Sequence, residues 1–81
     1  MKNKIENIIN EWDPIDLFPF APNDEYKREI EKISELLTPD IDLEELAMKI
    51  KQIFVDSFGE DMFFRDDESI LKVAENLKRL I

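Results

Sequence analysis

The sequence predicts an all-α protein, a compact four-helix bundle or array. Four segments place apolar residues at every third or fourth position, the repeat of a helix with one buried face. No segment alternates apolar and polar residues over a length that would make a strand, and the single glycine is too few for a β protein rich in tight turns. The 81 residues are enough for one hydrophobic core, so we predict a single helical domain over residues 1–81.

The first two predicted helices flank a proline-rich stretch. The first runs from about Lys2 to Trp12, and Pro14 ends it because the residue before a proline is disfavoured in the α conformation. The second runs from about Asp24, which we expect to act as its N-cap, to Leu37, with Glu and Lys on its outer face. The apolar stripes consist of Ile5, Ile8, Ile9 and Trp12 in the first helix and of Tyr26, Ile30, Ile33 and Leu37 in the second.

The third and fourth predicted helices have clear start signals. Asp42 begins a capping-box pattern for a third helix that ends before Gly59, a residue suited to positive φ. Asp66 or Asp67 caps a fourth helix that continues to about Leu80. Their stripes consist of Leu43, Leu46, Ala47, Ile50, Ile53, Phe54 and Phe58 in the third and of Ile70, Val73, Ala74, Leu77 and Leu80 in the fourth.

A long proline-rich apolar connector, residues 13–23, joins the first two helices. It carries three prolines, yet it is not polar as a linker should be. Two interpretations stay open: its aromatic side chains cover one end of the core, or they contact a partner or a second copy of the chain. The residues predicted to make such a contact are Trp12, Asp13, Pro14, Leu17, Phe18, Phe20 and Tyr26.

The amino-acid composition excludes most of the common catalytic mechanisms. The chain has no His and no Cys, which excludes thiolate chemistry and the commonest general base. We therefore predict no catalytic residues, no cofactor, no metal site and no enzymatic activity. One alternative stays open, a small carboxylate- or divalent-metal-dependent enzyme or metal-binding protein, because Asp56, Glu60 and Asp61 cluster around Gly59.

The charge balance restricts the partners. Twenty acidic residues against eleven basic ones give a net charge of −9, which repels phosphate backbones and anionic lipids. We predict no nucleic acid and no membrane as partners, and instead a basic protein or, as a structural homodimer, the chain itself. No apolar run follows the N-terminal residues and none approaches the length of a membrane span, which predicts a cytoplasmic location.

Three stretches carry a family resemblance: W-D-P-I, then P-N-D-E-Y, and later F-V-D-S-F-G-E-D-M-F. In this order they resemble the YugE-type family of short uncharacterised Bacillus proteins, a domain-of-unknown-function family. The resemblance implies an all-α bacterial domain and transfers no catalytic residue. The D-P-I and D-E-Y patterns are also similar to some immunity-type proteins of bacterial toxin systems. The acidic surface and the apolar connector predict a non-enzymatic protein-interaction domain, of regulatory or immunity type.

Overall fold

Four α-helices form the structure, a computed structural model that describes residues 2–15, 26–63 and 65–81. They are α1 (Lys2–Trp12), α2 (Lys27–Leu36), α3 (Leu43–Phe58) and α4 (Asp67–Lys78). No strand occurs in these three ranges. The predicted all-α, four-helix class is confirmed. Residues 16–25, which include most of the connector, lie outside the described part of the chain.

The helices pack as a ring around one core. The contact between α3 and α4 is the most extensive, and α1–α2, α2–α3 and α1–α4 complete the ring. Within the described ranges the backbones of α1 and α3 do not come close together, nor do those of α2 and α4, although the Trp12 ring of α1 reaches Phe54 of α3. Each helix therefore has two neighbours and turns one stripe inward.

The predicted apolar stripes supply this core. Among the fully buried side chains, Ile5 and Ile9 come from α1, Ile33 from α2 and Phe54 from α3. Burying each such side chain contributes about 1.5–3 kcal/mol, which makes the shared core the main source of stability. The buried apolar residues are Ile5, Ile9, Ile15, Tyr26, Ile30, Ile33, Leu37, Ile41, Leu46, Ala47, Ile50, Phe54, Phe63, Ile70, Val73, Ala74 and Leu77.

The end of α1 agrees with the prediction, but the residue that follows is unusual. The helix ends at Trp12, and the Asp13 N–H still donates to the Ile9 carbonyl at 2.8 Å. A residue before proline is expected to be extended. Asp13 instead has φ of 48°, in the left-handed region that aspartate tolerates better than most residues.

The start of α2 differs from the prediction. The helix begins at Lys27, not at about Asp24, and Tyr26 holds the N-cap position with φ −98°, ψ 16° and no side-chain cap hydrogen bond. Asp24 lies outside the described residues. Tyr26 is fully buried, so its backbone turns to direct the ring inward before the helix begins. Glu29, expected on the exposed face, is only 4% exposed because it lies one turn after Tyr26 on the same side of the helix.

The ends of α3 follow the sequence signals in part. Asp42 is the N-cap in extended conformation, but its side chain makes no cap hydrogen bond, so the predicted capping box does not form. Gly59 has the expected positive φ, 91°, with ψ of 155°, and its N–H donates to the Val55 carbonyl at 2.8 Å. A Cβ there would meet nothing within 4 Å, so the need for glycine is conformational, not steric.

The ends of α4 show a cap and a tightened last turn. The Asp66 carboxylate accepts a hydrogen bond from the Ser69 N–H at 2.9 Å, as predicted for an N-cap. The helix ends at Lys78, two residues before the predicted Leu80. There the hydrogen bonds change to the i to i+3 pattern, from Leu80 N–H to Leu77 and from Ile81 N–H to Lys78.

A helix that crosses a bilayer needs about 20 consecutive, mostly apolar residues. In the described part of the chain, no helix combines the length and the apolar composition that a membrane span needs.

Candidate functional site

The D-P-I and D-E-Y motifs meet in one buried hydrogen-bonded cluster. The Tyr26 hydroxyl donates to Asp13 Oδ1 at 2.6 Å and accepts from the Ile15 N–H at 3.3 Å. A buried phenol needs such partners, because an unsatisfied polar group in the interior costs about 1–3 kcal/mol. The two ends of the connector are thereby joined through a single side chain.

Two further hydrogen bonds connect this cluster to the second half of the chain. Arg65 Nη2 donates to the Asp13 carbonyl at 2.7 Å, across 52 positions of sequence. Trp12 Nε1 donates to Ser69 Oγ at 2.9 Å, across 57 positions. The guanidinium bond has a charged donor, which makes it stronger than a neutral one. We call Trp12, Asp13, Tyr26, Arg65 and Ser69 the Asp13 hub.

An aromatic cluster centred on Phe54 packs against the Trp12 and Tyr26 rings of the hub. The Trp12 and Tyr26 rings meet Phe54 edge-on, with centroids 5.9 and 5.8 Å away. Phe63 stacks on Phe54 at 5.9 Å and 8°, and Phe58 stacks on it at 6.2 Å and 16°. Offset and edge-on pairs of this kind each add about 0.5–1.5 kcal/mol beyond the burial of their area. The rings hold the Trp12 and Tyr26 side chains in the positions that the hub requires.

The hub also stabilises a backbone conformation that is costly by itself. A left-handed conformation costs a non-glycine residue roughly 1–2 kcal/mol. At Asp13 both the side chain, through Tyr26, and the carbonyl, through Arg65, are held by hydrogen bonds that compensate for it. The chemistry available here is therefore structural: the polar groups fix a turn and join helices.

The structure places the predicted contact residues mainly inside. Pro14 and Tyr26 are fully buried, and Trp12 and Asp13 are half-buried. Ile15 is buried as well, as expected if the connector covers the core. Leu17, Phe18 and Phe20 lie outside the described residues. The described members of the set can therefore affect a contact mostly through the segments that they hold in place.

Two members of the hub, Arg65 and Ser69, were not predicted from the sequence. Arg65 lies in the loop before α4 and Ser69 in the first turn of α4, and neither belongs to an apolar stripe or a motif. Their partners are more than fifty positions away, so no local pattern could have indicated them. The burial of Glu29 was missed for a different reason, because it follows from the inward turn of Tyr26 one helical turn earlier.

The surface of the described residues includes two depressions that are large enough to receive ligand atoms. A cleft of about 710 Å³ lies at the start of α2, where Lys27, Arg28 and Lys32 face Asp56 and Ser57 of α3. A groove of about 410 Å³ runs between α3 and α4. No set of three or more Asp or Glu side chains in the described ranges is arranged to hold a metal ion. The acidic residues around Gly59, which are Asp56, Glu60 and Asp61, are all exposed.

Comparison with known proteins gave one match. A family model described as "Domain of unknown function (DUF1871)" matches residues 4–80. No curated protein and no solved structure matches the chain. The expectation of a family without established function is confirmed, while the YugE-type name and the Bacillus origin stay predictions.

Proposed function

The chain belongs to the DUF1871 family of domains of unknown function, and from its surface we propose that it is a non-enzymatic protein-interaction domain that binds a basic partner. The observation that carries this proposal is the concentration of exposed acidic side chains on a scaffold in which Trp12, Tyr26 and Arg65 donate hydrogen bonds within the fold. Electrostatic attraction to such a surface accelerates encounter with a basic protein and disfavours acidic partners.

The acidic residues are concentrated where two helices begin. Asp42, Glu44 and Glu45 surround the start of α3, and all three are exposed. Asp66, Asp67 and Glu68 do the same at the start of α4. Carboxylates at a helix N-terminus interact favourably with the helix dipole and stabilise the helix by about 0.3–1 kcal/mol each. They remain in solvent, so they also present negative charge to a partner.

The Asp13 hub supports the proposal indirectly. Trp12, Tyr26 and Arg65 each donate a hydrogen bond within the fold, so the hub mainly holds other segments in place. Recognition then falls to the exterior of the helices and, as the sequence predicts, to Leu17, Phe18 and Phe20 of the connector. We propose that this interaction has a regulatory or immunity-type role in a bacterium related to Bacillus.

Affinity capture tests the proposal. The purified chain is immobilised and exposed to a bacterial lysate at about 50 mM NaCl, a salt concentration that preserves electrostatic contacts. We expect a basic protein to be retained and then released as the salt is raised. Its binding must be reproduced with both purified proteins.

A matched variant makes this test specific. Replacing Glu44, Glu45, Asp67 and Glu68 with their neutral amides removes exposed charge without touching the core. Each substitution removes a favourable interaction with the helix dipole, so circular dichroism must first show that the variant is folded. The folded variant should lose most of the captured protein. Retention of no protein by the unmodified chain, or of the same protein by the neutral variant, would contradict the proposal.

A further inference from the structure

The groove between α3 and α4 has the form of a helix-binding site. On α3 its lining residues are Glu44, Ala47, Met48 and Lys51, which lie at i, i+3, i+4 and i+7 and so share one face. On α4 they are Asp67, Ile70 and Leu71, again at i, i+3 and i+4. The α3 stripe extends over about 10 Å, or two helical turns, and the α4 stripe over about 6 Å, or one turn.

The groove has an apolar floor and an exposed apolar edge. Ala47 and Ile70 are 8% and 2% exposed, and their side chains form the floor of the groove. Met48 is 72% exposed, more than any other large hydrophobic residue in the described part of the chain, and Leu71 is half-buried. An exposed methionine loses little by staying in water but contributes apolar area to a partner, and its flexible thioether adapts to the partner's shape.

Charge complementarity identifies the occupant. Glu44 and Asp67 line the groove, and the exposed Glu45 and Glu68 follow them directly in sequence. Lys51 is the one cation among the lining residues that the structure describes. A helix that places apolar side chains at i, i+3 or i+4, and i+7 on the floor would bring flanking Lys or Arg residues to these carboxylates.

We propose that the α3–α4 groove, with Met48 at its edge and Glu44 and Asp67 in its lining, binds a basic amphipathic helix of a partner protein. This inference rests on the proposed function and deepens it by naming the surface and the chemistry of the partner. Leucine-sized side chains of the partner contact Met48, Ala47 and Leu71, and its cationic residues pair with the acidic ones.

A synthetic peptide tests the groove directly. The probe is an 18-residue helix with Leu at every third or fourth position and Lys elsewhere, and its fluorescence anisotropy is read during titration with the protein. Met48→Glu should weaken binding about tenfold or more, since it replaces apolar contact with a charge. Met62→Glu is the matched control: Met62 is also exposed, at 46%, but it does not line the groove.

The two variants carry the same added charge, which separates groove binding from general attraction. Binding by charge alone would make both variants bind the basic peptide as tightly as the unmodified chain or tighter, and that result would overturn the proposal. So would failure of the peptide to bind the unmodified chain. Because Met48 is exposed, we expect its variant to keep the same thermal midpoint.

The same variants distinguish this inference from the proposed function. If the captured natural partner binds both variants equally, the groove assignment is wrong while the interaction function stands. If the unmodified chain captures no partner, the function itself fails. A homodimer that Met48→Glu dissociates, seen by light scattering, would assign the groove to a second copy and overturn the basic-helix assignment.

Discussion

The Tyr26 side chain is held both by its hydroxyl and by its ring. Its hydroxyl links Asp13 to Ile15, and its ring is fully buried against Phe54 and Phe58. The hydroxyl therefore serves two partners at the point where the connector rejoins the helices.

Removal of the Tyr26 hydroxyl should lower the free energy of unfolding. Tyr26→Phe leaves Asp13 Oδ1 and the Ile15 N–H short of one partner, so we expect the free energy of unfolding to fall by about 1–3 kcal/mol. Urea titration followed by the fluorescence of Trp12, the single tryptophan, measures it. Ser34→Ala is the control, because that hydroxyl donates only within its own helix, to the Glu31 carbonyl. The Ser34 change should stay within about 0.5 kcal/mol, and an equally small effect of Tyr26→Phe would count against the hub.

Asp13 allows its backbone and side-chain roles to be separated. Asp13→Asn keeps an acceptor for Tyr26 and tolerates positive φ, so it should cost less than about 1 kcal/mol. Asp13→Ala loses the acceptor, at about 1–3 kcal/mol, and its left-handed backbone is less tolerated. The unfolding free energies, measured in urea, should therefore rank unmodified, Asn, Ala. Equal values for the two variants would show that neither the acceptor nor the backbone conformation matters.

The helices show which features of the structure can be predicted from the sequence. Apolar periodicity predicted all four helices and their buried stripes, because one buried face is a local property of the repeat. The start of α2 at Lys27 and the burial of Glu29 were missed, because the inward turn of Tyr26 toward Asp13 decides both. Arg65 and Ser69 could not be identified either, since their partners are distant in sequence.

Two aspartates at helix starts give a matched comparison. Asp66 makes a cap hydrogen bond to Ser69 N–H, whereas Asp42 makes none. Asp66→Ala should therefore lower the free energy of unfolding by about 0.5–2 kcal/mol. Asp42→Ala should lose only its interaction with the helix dipole, about 0.3–1 kcal/mol. Thermal unfolding followed by circular dichroism measures both, and a larger loss at Asp42 would contradict the capping geometry.

The chain as a unit carries its net charge of −9 on a small surface. Like charges repel in the compact state, and salt shortens the screening length from about 30 Å at 0.01 M to about 8 Å at 0.15 M. We expect the free energy of unfolding to rise as NaCl is increased over this range. A fall would mean that attractive ion pairs outweigh the repulsion. A variant with Glu44 and Glu45 replaced by Gln should show a smaller rise.

We propose a division of roles, in which the Asp13 hub holds the fold and the exterior of the helices performs recognition. Titration of the basic amphipathic peptide into Tyr26→Phe and Met48→Glu, with a thermal midpoint for each, tests it most directly. Tyr26→Phe should lower the midpoint, by about 4–8 °C per kcal/mol lost, and leave Kd within about twofold. Met48→Glu should leave the midpoint unchanged and raise Kd about tenfold. Loss of binding in a still-folded Tyr26→Phe variant, with normal binding by Met48→Glu, would contradict the account.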